Sequence, residues 1–104
     1  MKATSKNTSG TSFHDTTIKC STATLRKVLG EPEYEPNDGE DKINFEWDME
    51  TNSGDVFTVY DWKEYRSLNE NETIEWHIGG FNRTATEQAK SEIIEAIAKA
   101  RLTK

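Results

Sequence analysis

Between residues 43 and 50 the chain alternates without interruption: Ile43, Phe45, Trp47 and Met49 are separated by Asn44, Glu46, Asp48 and Glu50. Successive side chains leave a pleated strand on opposite sides, so this pattern predicts a strand with one buried and one solvated face. Thr51-Asn52-Ser53-Gly54 is turn chemistry, and Val56 through Trp62 resumes with strand formers, which predicts a hairpin. A turn at 51–54 sets Met49 opposite Val56, Phe45 opposite Tyr60 and Ile43 opposite Trp62, all facing the core. The same register leaves Phe57 and Val59 on the outer face, beside Glu46 and Asp48.

The flanking segments extend this hairpin into an α+β domain. Residues 1–12 are Lys, Thr, Ser, Asn and Gly with almost nothing to bury, and are expected to be a disordered tail before a single domain spanning 13–104. Phe13 to Cys20 suits a strand. Ser21 or Thr22 can cap a short helix in which Leu25, Val28 and Leu29 share a stripe, and Gly30 with Pro32 ends it. Residues 31–42 read as an acidic loop offering only Tyr34 to a core. Ile74, Trp76 and Ile78 alternate with Glu75, His77 and Gly79, adding a third hairpin-linked strand. Thr84 and Glu87 have the spacing of a capping box for a helix running to about Leu102, with Ala89, Ile93, Ala96, Ile97 and Ala100 as its buried stripe. The predicted order is strand, helix, three-stranded antiparallel meander, helix, with both helices on the Trp47/Tyr60/Trp76 face.

Charge narrows the function classes. Residues 1–30 hold five bases and one acid, residues 31–75 three bases and fifteen acids, and residues 76–104 five bases and three acids. A surface built from the middle segment disfavours nucleic acid and attracts a basic partner, including the basic groove of a nucleic-acid-binding protein. No apolar run is long enough to span a bilayer and the first residues lack the apolar segment of a secretory signal, so no membrane is involved and a cytoplasmic location is expected. Cys20 is the single cysteine, and with His14 and His77 it makes too few soft ligands for zinc. Asn37-Asp38-Gly39-Glu40-Asp41 lacks calcium-loop spacing. No cofactor, metal or catalytic residue is therefore expected, and His77 or Cys20 as a catalytic group ranks last among the readings.

Two readings of the chemistry remain. The first takes the outer sheet face, with Glu46, Asp48, Glu50, Asp55, Asp61 and Glu75 around Phe57 and Val59, as a protein-docking surface: an apolar centre for affinity and an acidic rim for steering. A second copy of the chain is another candidate occupant of that face. The second reading is a nucleotide-like small-molecule binder or sponge using Lys63, Arg66, His77 and Arg83, with aromatic rings for stacking and the start of the last helix for an anion.

The run Tyr60-Asp61-Trp62-Lys63-Glu64-Tyr65-Arg66 and the ending Trp76-His77-Ile78-Gly79-Gly80, in a small acidic chain, resemble accessory proteins carried by phages and mobile elements, over residues 13–83. The resemblance implies a non-enzymatic inhibitor acting by stoichiometric binding to a host factor in the host cytoplasm, with defence complexes such as CRISPR effectors among the targets. It carries over no catalytic residue.

Overall fold

The computed structural model describes residues 1–102. In chain order these form β1 (Lys2–Ala3), β2 (Ser12–Ser21), α1 (Thr22–Leu29), β3 (Glu46–Glu50), β4 (Val56–Tyr60), β5 (Thr73–Gly80) and α2 (Arg83–Leu102). The strands make one antiparallel sheet in the order β1-β3-β4-β5-β2, so the α+β class and the meander are as predicted. Both helices pack on one face. Leu25 and Leu29 of α1 and Ala89 and Ile93 of α2 meet Ile18, Trp47, Trp76 and Ile78 of the sheet. The two indoles are buried without an orphaned donor: Trp47 Nε1 donates to the Gly30 carbonyl at 2.8 Å and Trp76 Nε1 to the Cys20 carbonyl at 2.9 Å.

The hairpin register differs from the prediction by one residue. The turn takes five residues, because Thr51 and Asp55 close it: Thr51 N donates to the Asp55 carbonyl at 2.8 Å and Asp55 N to Thr51 Oγ1 at 3.1 Å, with Gly54 at φ +86°. Trp47 therefore faces Val59 and Met49 faces Phe57, while Glu46 faces Tyr60 and Asp48 faces Thr58. A slip of one residue exchanges the two faces of a strand. Phe57 and Val59, placed by the sequence on the acidic outer face, are fully buried in the core. Tyr60 moves the other way, off the core face and onto the outer one.

Residues 1–12, expected to be a tail, are ordered against the sheet. β1 pairs with β3 at one edge and β2 with β5 at the other, so residues 4–11 must cross between the edges. Lys6 Nζ donates to the Gly54 carbonyl at 3.0 Å, and an added Cβ at Gly10 would sit 3.2 Å from the Phe81 ring, so the crossing runs past the end that holds the β3–β4 turn and the β5–α2 junction. Thr8 and Thr11 border a recess with Thr58, Tyr60 and Gly79 on the outer face. Val56 and Thr58 are buried on that face.

Local capping is as predicted at the first helix and departs at the second. Ser21 caps α1, its hydroxyl accepting from Thr24 N at 3.1 Å. At α2 the cap is Asn82, whose Oδ1 accepts from Ala85 N at 2.8 Å, in place of the predicted Thr84 box. Cys20 lies partly buried, which pushes its thiol up to about 11. At pH 7.5 the folded protein should react with a maleimide or aromatic disulfide at least tenfold more slowly than the protein in denaturant. Equal rates would mean that the folded thiol is as accessible and as readily ionised as in the unfolded chain.

Candidate docking surface

The outer face is organised by one transverse row. Tyr34 bridges to Glu46, Glu46 pairs with Tyr60, Tyr60 with His77, and His77 with Thr17. Directly paired residues share a face, so an aromatic ring, a carboxyl, a second ring and an imidazole stand side by side. A register shift in β2, with Asp15 at φ 64°, brings Phe13 flat onto His77 with ring centroids 4.0 Å apart. Trp62, just past the end of β4, also stacks against His77, with centroids 6.2 Å apart, and meets Tyr60 edge-on at 6.2 Å. Phe13, Tyr34 and Trp62 are each about 40% exposed, which is unusual for rings held this firmly.

Two acidic loops are fastened together to hold Tyr34 and Trp62. Asp61 is fully buried and accepts from Asn44 N at 2.8 Å, Phe45 N at 2.9 Å and Asn44 Nδ2 at 3.0 Å. Asn44 Nδ2 also reaches the Arg66 carbonyl at 2.8 Å, and Asn44 Oδ1 accepts from Gly39 N at 3.0 Å. Asn37 clasps Leu68 from both sides, donating from Nδ2 to its carbonyl at 3.1 Å and accepting from its N–H at 2.6 Å. Lys63 N closes the knot on the Lys42 carbonyl at 2.7 Å. Turning the amides of Asn44 and Phe45 toward Asp61 also ends the strand early: β3 starts at Glu46, and Ile43 leaves the core for the outer face.

Ile43 and Glu46 line a groove of about 510 Å³ whose other sides are Tyr34, Trp62, Asp41 and Lys42. Tyr34 Oη donates to Asp41 Oδ2 at 3.1 Å, a bond that holds its phenol proton above the usual range. Glu46 is the electrostatic singularity of the face. Burial, then a hydrogen bond and the charge of Asp48, pushes its carboxyl up to about 7. Asp48 Oδ1 is sealed from solvent with no donor in reach, which a proton on Glu46 would supply. Burial and the Glu46 charge raise Tyr60 as well, whereas burial lowers His77 against the pull of Glu75. Lys42 and Lys63 rest over Trp62, with Nζ 5.9 and 5.5 Å from the ring centroid.

Of the residues predicted for docking, Glu46, Asp48 and Glu75 stand on this face. Glu50 is on it too but is buried, accepting from the Thr4 hydroxyl at 2.6 Å and ion-paired with Lys6 and Lys2 at 3.8 and 3.6 Å. Asp55 closes the distal turn, Asp61 is a structural acid, and Phe57 and Val59 are core. Much of the acidic middle is also paired internally: Arg26 bonds Glu31, Glu35 and Glu70, and Arg66 bonds Glu72. The alternative ligand set does not converge. Lys63 follows the end of β4, while Arg83 follows the end of the antiparallel β5, at the opposite end of the sheet, where it reaches Glu87 at 3.6 Å. The residues that sequence reasoning missed are Phe13, Tyr34, Ile43, Tyr60 and Trp62. Four of these are aromatic residues in or beside polar loops, which is a signal, but the predicted hairpin register gives Ile43, Tyr60 and Trp62 to the core.

Among the described residues no cluster of His, Cys, Asp or Glu is disposed to hold a metal ion, and no helix is long and apolar enough to cross a membrane. No protein family, curated protein or solved structure matches the chain.

Proposed function

We propose that the protein is a non-enzymatic binding protein that docks its outer sheet face onto a basic surface of another protein. The observation that carries this reading is the row Tyr34–Glu46–Tyr60–His77 extended by Phe13 and Trp62: exposed rings, immobilised by stacking and by the Asp61 knot, next to carboxyls. Rigid aromatic residues lose little conformational freedom on association and dominate interface energetics. No described ion pair takes up Glu46, Asp48 or Glu75, so no base of the chain competes with a partner for these carboxyls. Compared with the sequence-based expectation, the apolar centre is this set of rings instead of Phe57 and Val59. An inhibitor of a nucleic-acid-binding host complex, the class implied by the phage-protein resemblance, would meet such a basic surface.

The test is affinity capture from host lysate at about 50 and 300 mM salt, with wild type and Trp62→Ala side by side. Trp62 is partly exposed, so its truncation should leave the melting temperature within a few degrees. A basic protein should be retained by wild type, released by high salt, and weakened roughly tenfold or more by the substitution. A captured partner indifferent to Trp62→Ala would remove this face from consideration.

A further inference from the structure

The geometry points to an arginine side chain of that partner as the occupant of the groove between Tyr34 and Trp62. This inference rests on the docking reading and names the chemistry at its centre. The groove pairs two aromatic walls with the carboxyls of Asp41 and Glu46 and an aliphatic floor at Ile43. A planar cation suits that combination: its face stacks on a ring, its edge donates to a carboxylate in a two-bond fork, and its methylene stem covers an apolar floor. At about 510 Å³, the groove is roomy enough for one long side chain.

Trp62 already carries cations. Lys42, itself a lining residue, and Lys63 both hold their ammonium groups over its ring. Both lysines are exposed and both ammonium heads lie farther from the ring than a direct stacking contact, so an entering guanidinium can displace one at small cost. Lys42 is then a competitor within the groove, and this separates a cation site from an anion site. Removing Lys42 should strengthen a cationic ligand by relieving like-charge repulsion; it should weaken a phosphate-bearing ligand by removing an attractive charge.

The experiment uses the full chain, labelled with nitrogen-15, titrated at pH 8 with N-acetyl-arginine amide, its neutral citrulline counterpart, and adenosine monophosphate. The arginine probe should shift the Trp62 indole and the Tyr34 and Glu46 amides saturably at millimolar concentration. Citrulline should bind at least fivefold more weakly, Glu46→Gln should weaken the arginine probe at least threefold, and Lys42→Met should tighten it at least twofold. Equal binding of citrulline, shifts that survive Trp62→Ala, or tighter binding of the nucleotide that is lost in Lys42→Met would overturn the inference. Failure here is distinguishable from failure of the docking reading: Trp62→Ala would still release the captured protein if only the arginine assignment were wrong.

Discussion

Asp61→Ala should lower the unfolding free energy by about 4 kcal/mol, the largest loss expected from any single truncation outside the apolar core. The side chain is fully buried and satisfies three donors, two of them backbone amides of Asn44 and Phe45 that no water can reach. Alanine would leave all three unpaired in a low-dielectric interior, where each buried orphan costs about 1–3 kcal/mol. Asp61→Asn separates the contributions. Its remaining oxygen can still serve both amides, but its NH₂ would face Asn44 Nδ2, and Asn44 cannot turn over without surrendering the Gly39 amide. A loss of about 2 kcal/mol is expected for the amide. Chemical denaturation of the two variants measures both numbers; near-neutral values would mean the two loops are held by something other than this carboxylate.

Glu46→Gln should act in the opposite direction, and only at higher pH. The folded carboxyl is raised to about 7 by burial and by Asp48, while the unfolded one ionises near 4.5. The folded state therefore holds the extra proton between those values, so stability falls as pH rises from about 4.5 to 7 and stays low above that. Glutamine removes this penalty and can donate to the orphaned Asp48 Oδ1. Glu46 is only partly buried, so the full shift is discounted: the variant should gain about 1–2 kcal/mol over wild type at pH 8 and almost nothing at pH 4.5. The groups facing Glu46 are Asp48 on its own strand, Tyr60 on β4, and Tyr34, Asp41 and Lys42 from the acidic loop; both phenols are held above their ordinary range, so neither tyrosine loses its proton between pH 5.5 and 8. Melting curves of both proteins across pH 4.5–8 give the difference directly. Parallel profiles would mean that Glu46 is ionised throughout.

Local pattern and long-range contact differ in how plainly a sequence displays them. The same contrast explains what was legible in the chain. Alternation in Glu46–Glu50 and in Thr73–Gly80 showed two strands and their buried faces, since only one face of each is apolar. Val56–Tyr60 has apolar residues on both faces, so periodicity could not choose its register; that choice fell to Thr51 and Asp55, whose turn is one residue longer than the Thr51-Asn52-Ser53-Gly54 signal suggested. The outer side of Val56 and Thr58 is covered near the N-terminal crossing, a long-range arrangement that a polar dozen residues gives no reason to expect. Composition likewise counted fifteen acids in the middle of the chain but not their pairing, and Arg26 alone takes up three. Strands and helices follow from local pattern; the site follows from Asp61 and Asn44, whose roles appear only once two loops distant in sequence are brought together.

The most direct measurement is to titrate the basic protein retained at low salt into the nitrogen-15-labelled chain and map the perturbed amides. Changes centred on Phe13, Tyr34, Glu46, Tyr60, Trp62 and His77, with α1 and α2 unaffected, are the predicted result. Perturbations concentrated on the helical layer, with the Trp62 indole unmoved at saturation, would contradict the assignment of the outer sheet face as the docking surface.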